Sequence, residues 1–226
     1  MRFRAQFVLS CARNRFHSRL SGCLQRLSAF STTELKENTM KKTILCALLA
    51  ATAAAATAAD YQIDPHHANA RFAIDHFGTS TNVGGFYQLE GTVKFDAAKR
   101  SGSIDITIPL NKLQTGSEHF TKHLLSADIF NAEKHPNIRF VSDKFHFVGK
   151  KVSAVSGRLT MNGKTQPVTL KANKFNCYQN PMKKVETCGG DFSATLDRSK
   201  WGVNYLVDAG MTKTVGIQIQ IEAFKQ

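Results

Sequence analysis

His119 and His123 stand four residues apart, a spacing that on a helix brings two imidazoles to one side, where they could share a metal ion. Such a site needs a third ligand, the sequence nominates none, and the HExxH arrangement is absent. The pair is therefore read as making polar contacts. His66, His67 and His76 are read in the same way, as hydrogen-bonded groups that fix the first strand. Cys177 and Cys188 are the only cysteines beyond Cys46. An even pair in an exported chain reads as a disulfide, and no histidine lies near them in sequence to complete a zinc site. For catalysis the chain offers no G-x-S-x-G elbow, no reactive thiol and no recognisable word pairing a base with a nucleophile. No catalytic residue, metal or cofactor is assigned, and the chain is read as a non-enzyme.

The elements that must carry these residues are strands. From Thr214 to Phe224, Val215, Ile217, Ile219, Ile221 and Ala223 alternate with Gly216, Gln218, Gln220 and Glu222, giving one apolar and one polar face. Ile104, Ile106 and Ile108 alternate with Ser103, Asp105 and Thr107. Similar runs recur around Phe72, Val93, Phe140, Leu159, Leu170 and Ala194, separated by turn residues such as Gly149 with Lys150, Asn162 with Gly163, and Asn180 with Pro181. About eight strands at this spacing predict an antiparallel sandwich or barrel, and closure into a barrel removes exposed edges. Gly84 and Gly85 inside a strand signal predict a bulge or sharp bend.

One segment breaks the rhythm. Between Pro109 and Pro136 the alternation stops, and Ser117 is placed to cap a helix over residues 118–125 with Phe120 and Leu124 on its apolar side. Ser126 is placed to cap a further turn through Ile129 and Phe130. This helical insertion, about 117–131, is read as a flap over one barrel end or a plug of the core.

Residues 40–59 read MKKTILCALLAATAAAATAA. Two lysines, a short apolar run and an A-x-A-like site at Ala56, Thr57 and Ala58 make a secretory signal peptide, cut after Ala58 or Ala59. The run is too short for a ~30 Å hydrocarbon core, so no stable membrane insertion is expected. Cys46 lacks the small residue that precedes a lipidated cysteine. Residues 1–39 hold six arginines and no acid before Glu34. That composition fits a mitochondrial transit peptide, yet a bacterial-type signal directly behind it makes an odd pairing. The reading adopted is that translation begins at Met40 and that 1–39 is an upstream mis-start extension. Removing 1–59 leaves 167 residues, one domain over 60–226, with 21 basic and 15 acidic residues. The net charge falls from +13 to +6 with no long basic block, which argues against nucleic-acid binding.

Five stretches carry a resemblance: DPHHANARFAIDHFG (64–78), VGGFYQLEGTVKFD (83–96), HFTKHLLSADIFNAEKHPNIRFVS (119–142), GRLTMNGKTQPVTL (157–170) and DRSKWGV (197–203). In this order they resemble the YceI-like polyisoprenoid-binding family along essentially all of 60–226. The resemblance implies an all-β, eight-stranded, lipocalin-like antiparallel barrel. Its elongated apolar cavity would hold an isoprenoid or other long-chain amphiphile, in the periplasm of a Gram-negative bacterium, as a monomer or homodimer. In a barrel that holds a chain, inward residues are core and pocket wall at once. Phe72, Phe86, Phe130 and Phe140, with Leu124 and Ile129 of the insertion, are the expected walls, and His76 the expected polar group near a headgroup. Trp201 is also counted among the expected ligand-binding residues, plugging a barrel end with Arg198 stacked on its face. Two other readings stay open: an enzyme acting on a lipid-like substrate in the same cavity, and a barrel packed solid that serves as an interaction module.

Overall fold

The computed structural model describes residues 58–226; the expected signal peptide, except for its last two residues, and the stretch before it lie outside the described residues. Eleven strands occupy eight positions in a closed up-and-down antiparallel barrel, as the lipocalin-like expectation requires. The first position is split into β1 (Ala59–Ile63) and β2 (Asn69–His76), the second into β3 (Ser80–Tyr87) and β4 (Glu90–Asp96), and the third into β5 (Ser101–Pro109) and β6 (Leu113–Gln114). The remaining five are single strands: β7 (Asn137–Val148), β8 (Lys151–Met161), β9 (Lys164–Gln179), β10 (Glu186–Asp197) and β11 (Thr214–Lys225).

Each split has a local cause. Between β1 and β2, Pro65 brings no N–H to the ladder, and the Asp64 carboxylate caps a 3-10 turn by accepting the His66 N–H at 3.0 Å. Between β3 and β4 the chain turns at Gln88, which has a left-handed φ of 58°. Between β5 and β6 a second 3-10 turn follows Pro109. The halves still share neighbours: β11 pairs with β1 through Tyr61 and Lys225 and with β2 through Ala70 and Ile219. That double pairing is the seam that closes the barrel.

The expected bulge at Gly84 and Gly85 is absent, since β2 and β3 stay in continuous register from Asn69 opposite Tyr87 to His76 opposite Ser80. Gly84 serves a close approach instead: a Cβ there would fall 2.5 Å from the Phe72 ring. Register shifts occur where β7 meets β8, after Val141 and after His146, and between Asp191 and Phe192 where β10 meets β9.

The insertion between β6 and β7 holds α1 (Glu118–Leu125), whose first turn is capped by the Ser117 hydroxyl accepting the Phe120 N–H at 3.3 Å. The turn that follows forms differently from the sequence expectation. The Ser126 carbonyl, not its hydroxyl, accepts the Ile129 and Asn131 N–H groups, and the hydroxyl has no partner among the described residues. α1, the 198–213 connection, and the β2–β3 and β8–β9 hairpins share one end of the barrel. The β4–β5, β7–β8 and β9–β10 hairpins form the other. No helix among the described residues is long and apolar enough to cross a membrane.

Candidate ligand-binding cavity

The strict alternation of β11 sends Val215, Ile217, Ile219, Ile221 and Ala223 inward, and Ile104, Ile106 and Ile108 of β5 do the same. Opposite walls come from Phe140 of β7 and from Phe192, Ala194 and Leu196 of β10. These side chains do not fill the barrel. They enclose a cavity of about 570 Å³. At ~3.3 Å per residue and a tilt near 40°, twelve-residue strands make a barrel on the order of 30 Å tall, so the space is long rather than round.

The two ends of the cavity differ. Towards the hairpin end it is shut by aromatic rings: Phe95 meets Phe175 at 5.3 Å and Phe145 at 5.9 Å between centroids. Tyr61 is buried beside them and donates its hydroxyl proton to Glu186 Oε1 at 2.6 Å. Burial first, and then that carboxylate, push the Tyr61 phenol far above its ordinary range. Towards the α1 end the polar lining collects: His76, Asn82, His119, His123, Arg198 and Tyr205. The His123 and Tyr205 rings meet edge to face at 4.8 Å. Tyr205 and Leu206 line the cavity yet are 38% and 39% exposed, so the lining reaches the surface there. We call this the mouth. Leu206 holds a left-handed φ of 57°, an uncommon conformation for a bulky residue.

Arg198 anchors the mouth. Its side chain is buried, and its guanidinium donates to the carbonyls of Thr212, Val203 and Tyr205, each at 3.0 Å. Burial lowers its pKa from the ordinary arginine value, against the opposing pull of Asp197. A second titrating pair lies off the cavity, at the β1–β2 break. Burial alone would raise the Asp64 carboxyl, but the His67 ring at 2.6 Å and the His66 N–H hold it below the usual range. The same hydrogen bond raises His67.

Phe72, His76, Phe86, Leu124, Ile129, Phe130 and Phe140 all line the cavity, joined by ring contacts from Phe72 to Phe86 at 6.2 Å and from Phe86 to Phe130 at 5.6 Å. Trp201 does not line it. It is buried in the 3-10 turn that follows β10, with its indole N–H donated to the Leu159 carbonyl of β8 at 2.9 Å. Nor does Arg198 stack on its face; the three carbonyls take the guanidinium instead. His119 and His123 come to the cavity together, and no cluster of three or more metal-ligating side chains occurs among the described residues. Tyr205, Leu206 and Met211 also reach the lining and carried no sequence signal, because they sit in an irregular connection without periodicity. Cys177 and Cys188 face each other across β9 and β10 and are joined as a disulfide.

A YceI-like domain profile matches residues 61–223. A UPF0312 protein of Shewanella denitrificans is 38% identical over 183 residues, covering 75% of this chain and 96% of its own. A UPF0312 protein of Pseudomonas aeruginosa is 33% identical over 194 residues, covering 83% of this chain and all of its own. Among solved structures, BcnA of Burkholderia cenocepacia superposes with a TM-score of 0.55 at 24% identity, over 68% of this chain and 95% of that one. A polyisoprenoid binding domain from Saccharophagus degradans, implicated in plant cell wall breakdown, gives 0.56 at 11% identity, over 74% and 98%. At these identities the structural likeness speaks for the fold.

Proposed function

The chain belongs to the YceI-like family, and from that premise we propose that it is a periplasmic binding and carrier protein for one long-chain amphiphile of the isoprenoid or fatty class. The observation that carries the reading is the uneven polarity of the cavity: apolar walls along its length, aromatic rings at one end, and His76, His119, His123 and Tyr205 at the other. A chain would lie with its tail towards Phe95 and its head at the mouth. The binding of a polyisoprenoid by the Saccharophagus degradans domain supports the class of ligand. At about 0.8 kcal/mol per buried CH₂, ten methylenes contribute roughly 8 kcal/mol, enough for micromolar affinity before ordering costs. Export rests on the signal peptide read at residues 40–59.

The cavity lining includes no Asp, Glu, Ser or Thr, and its cysteine is in the disulfide. A hydrolase or isomerase in this cavity would have to work from histidine, tyrosine, arginine and the one asparagine, Asn82, which favours binding over catalysis. A solid barrel is not what is observed.

Native mass spectrometry of protein exported from its host should find one long-chain adduct per barrel. Displacement of a fluorescent prenyl probe should be lost in Ala194→Trp, which fills the tunnel from β10, by roughly tenfold or more in affinity. A barrel that is always empty and displaces no probe overturns the proposal.

A further inference from the structure

The +6 excess of residues 60–226 is not spread evenly. Three hairpins turn at the end of the barrel opposite α1, at residues 97–100, 149–150 and 180–185. They carry Lys99 with Arg100, Lys150 with Lys151, and Lys183 with Lys184. Lys99 pairs with Asp96, and three further acids on this half are matched in the same way, Asp60 with Lys94, Glu186 with Lys225 and Asp191 with Lys174, while Glu222 accepts from the Tyr178 hydroxyl. Arg100 and the four tip lysines have no carboxylate partner among the described residues, so they are the local excess. At the α1 end, Lys112, Lys122, Lys134, Lys164, Lys200 and Lys213 sit in chain segments with Asp75, Glu118, Asp128, Glu133, Asp197 and Asp208, and no such excess builds up.

The same tips project apolar side chains. Met182 is 90% exposed and Val148 is 73% exposed. A single exposed methionine or valine is ordinary on a protein surface. Here each sits within two or three residues of a lysine pair, and the basic side chains lie back on aromatic rings. Lys183 Nζ is 4.4 Å from the centroid of Phe224, and the Arg100 guanidinium is 5.3 Å from that of Phe147. Arg100 also donates to the Phe147 carbonyl at 3.4 Å, which ties the first hairpin to the second. β9 continues eight residues past Lys171, the last of its residues paired with β8, so the β9–β10 hairpin extends beyond the β8 ladder and carries Met182 at its turn.

We propose that this end of the barrel is a docking surface for an anionic lipid bilayer. The lysines and Arg100 meet the negative headgroups, while Met182 and Val148 enter the boundary between headgroups and acyl chains. A nucleic acid would reward the charge but not the exposed methionine, and an acidic protein would need its own apolar pocket for Met182, which a bilayer boundary offers without a specific fit. Docked in this way the barrel points its mouth, at Tyr205 and Leu206, away from the bilayer. The proposal does not depend on what the cavity holds.

The test is co-sedimentation of the purified protein with vesicles of phosphatidylcholine alone and of phosphatidylcholine mixed equally with phosphatidylglycerol. Binding is expected to the anionic vesicles only, and to fall as salt rises. The variant Lys150→Gln, Lys151→Gln, Lys183→Gln, Lys184→Gln should lose about fivefold in partitioning per lysine, on the order of several hundredfold in all. Met182→Gln should weaken vesicle binding while leaving the weak attraction to soluble polyglutamate unchanged. Far-UV circular dichroism and melting curves establish that each variant is folded; the sites are exposed turn positions. No binding to anionic vesicles at low salt overturns the proposal, as does equal binding by the four-lysine variant. A Met182→Gln variant that binds vesicles like the parent reduces the surface to a general polyanion site and also overturns it. Loss of binding in Leu206→Gln with the tip variants unaffected would place the membrane at the mouth instead, and would overturn it too.

Discussion

Arg198 is a buried cation whose hydrogen-bond partners are all backbone carbonyls, and those carbonyls belong to the connection that forms the mouth. Without the guanidinium, Thr212, Val203 and Tyr205 lose their donor in a site with little water. Hydrogen bonds to a charged group are worth about 1.5–3 kcal/mol each, offset in part by no longer burying the charge. Arg198→Met is expected to lower unfolding free energy by about 2–4 kcal/mol, and Arg198→Lys by less, because an ammonium reaches fewer of the three carbonyls. Denaturant melts measure both, and values within about 0.5 kcal/mol of the parent would remove Arg198 from its anchoring role. This residue also marks where the sequence stopped being legible. An arginine next to Trp201 suggests stacking, but adjacency along the chain says nothing about carbonyls that return from residues 203–212. The wall residues were legible for the opposite reason: Phe72 and Phe140 obey the period of two, so their direction follows from their neighbours. Tyr205 and Leu206 obey no period, and their place at the mouth is decided by tertiary contacts alone.

The strands followed their apolar alternation closely, and β11 is the clearest case. What the pattern did not reveal is that three of the eight positions are broken strands. The parity of the inward positions changes at each break, from Tyr61 and Ile63 to Ala70 and Phe72, from Asn82 and Phe86 to Val93 and Phe95, and from Ile106 and Ile108 to Leu113, so the halves read in sequence as separate runs. Gly84 misled for a related reason, since a glycine that admits a ring and a glycine that makes a bulge look the same in sequence. The β9–β10 hairpin is the element whose stability can be tested most directly. Its disulfide closes a sequence separation of 11 residues between directly opposed strand positions. Loop closure of that size restricts the unfolded chain by at most about 2–3 kcal/mol. The Cys177→Ser, Cys188→Ser double variant should therefore keep the barrel, seen as an unchanged far-UV spectrum, while its melting midpoint drops by roughly 5–10 °C. A midpoint equal to that of the oxidised parent would mean the bond restricts an ensemble already held by the hairpin.

At the scale of the whole molecule, the barrel closes on its own termini. Ala59 pairs with Phe95 and Tyr61 with Lys225, and the Gln226 N–H donates to the Asp60 carbonyl at 2.9 Å. The seam thus begins within a residue or two of where the signal peptide is expected to be cut. Removal after Ala58 or Ala59 would leave the β1–β11 pairs intact, whereas a cut beyond Tyr61 would open the barrel at the point where β1 joins β4 to β11. A cut at the expected site, which leaves Ala59 or Asp60 first, is therefore compatible with a closed barrel. We expect translation to start at Met40, and the exported protein to carry neither the arginines of residues 2–26 nor the lysines at 41 and 42. Intact mass and N-terminal sequencing of the periplasmic fraction, alkylated with and without prior reduction, address the start site, the cut and the disulfide together. The expected species has the mass of 59–226 or 60–226 and gains two alkyl groups only after reduction, since Cys177 and Cys188 are its only cysteines. A mature mass that includes Arg2 to Arg26 would overturn the start site and restore the transit-peptide reading. A species that retains the lysines at 41 and 42 would instead show a leader that is kept, with the β1 seam built behind it.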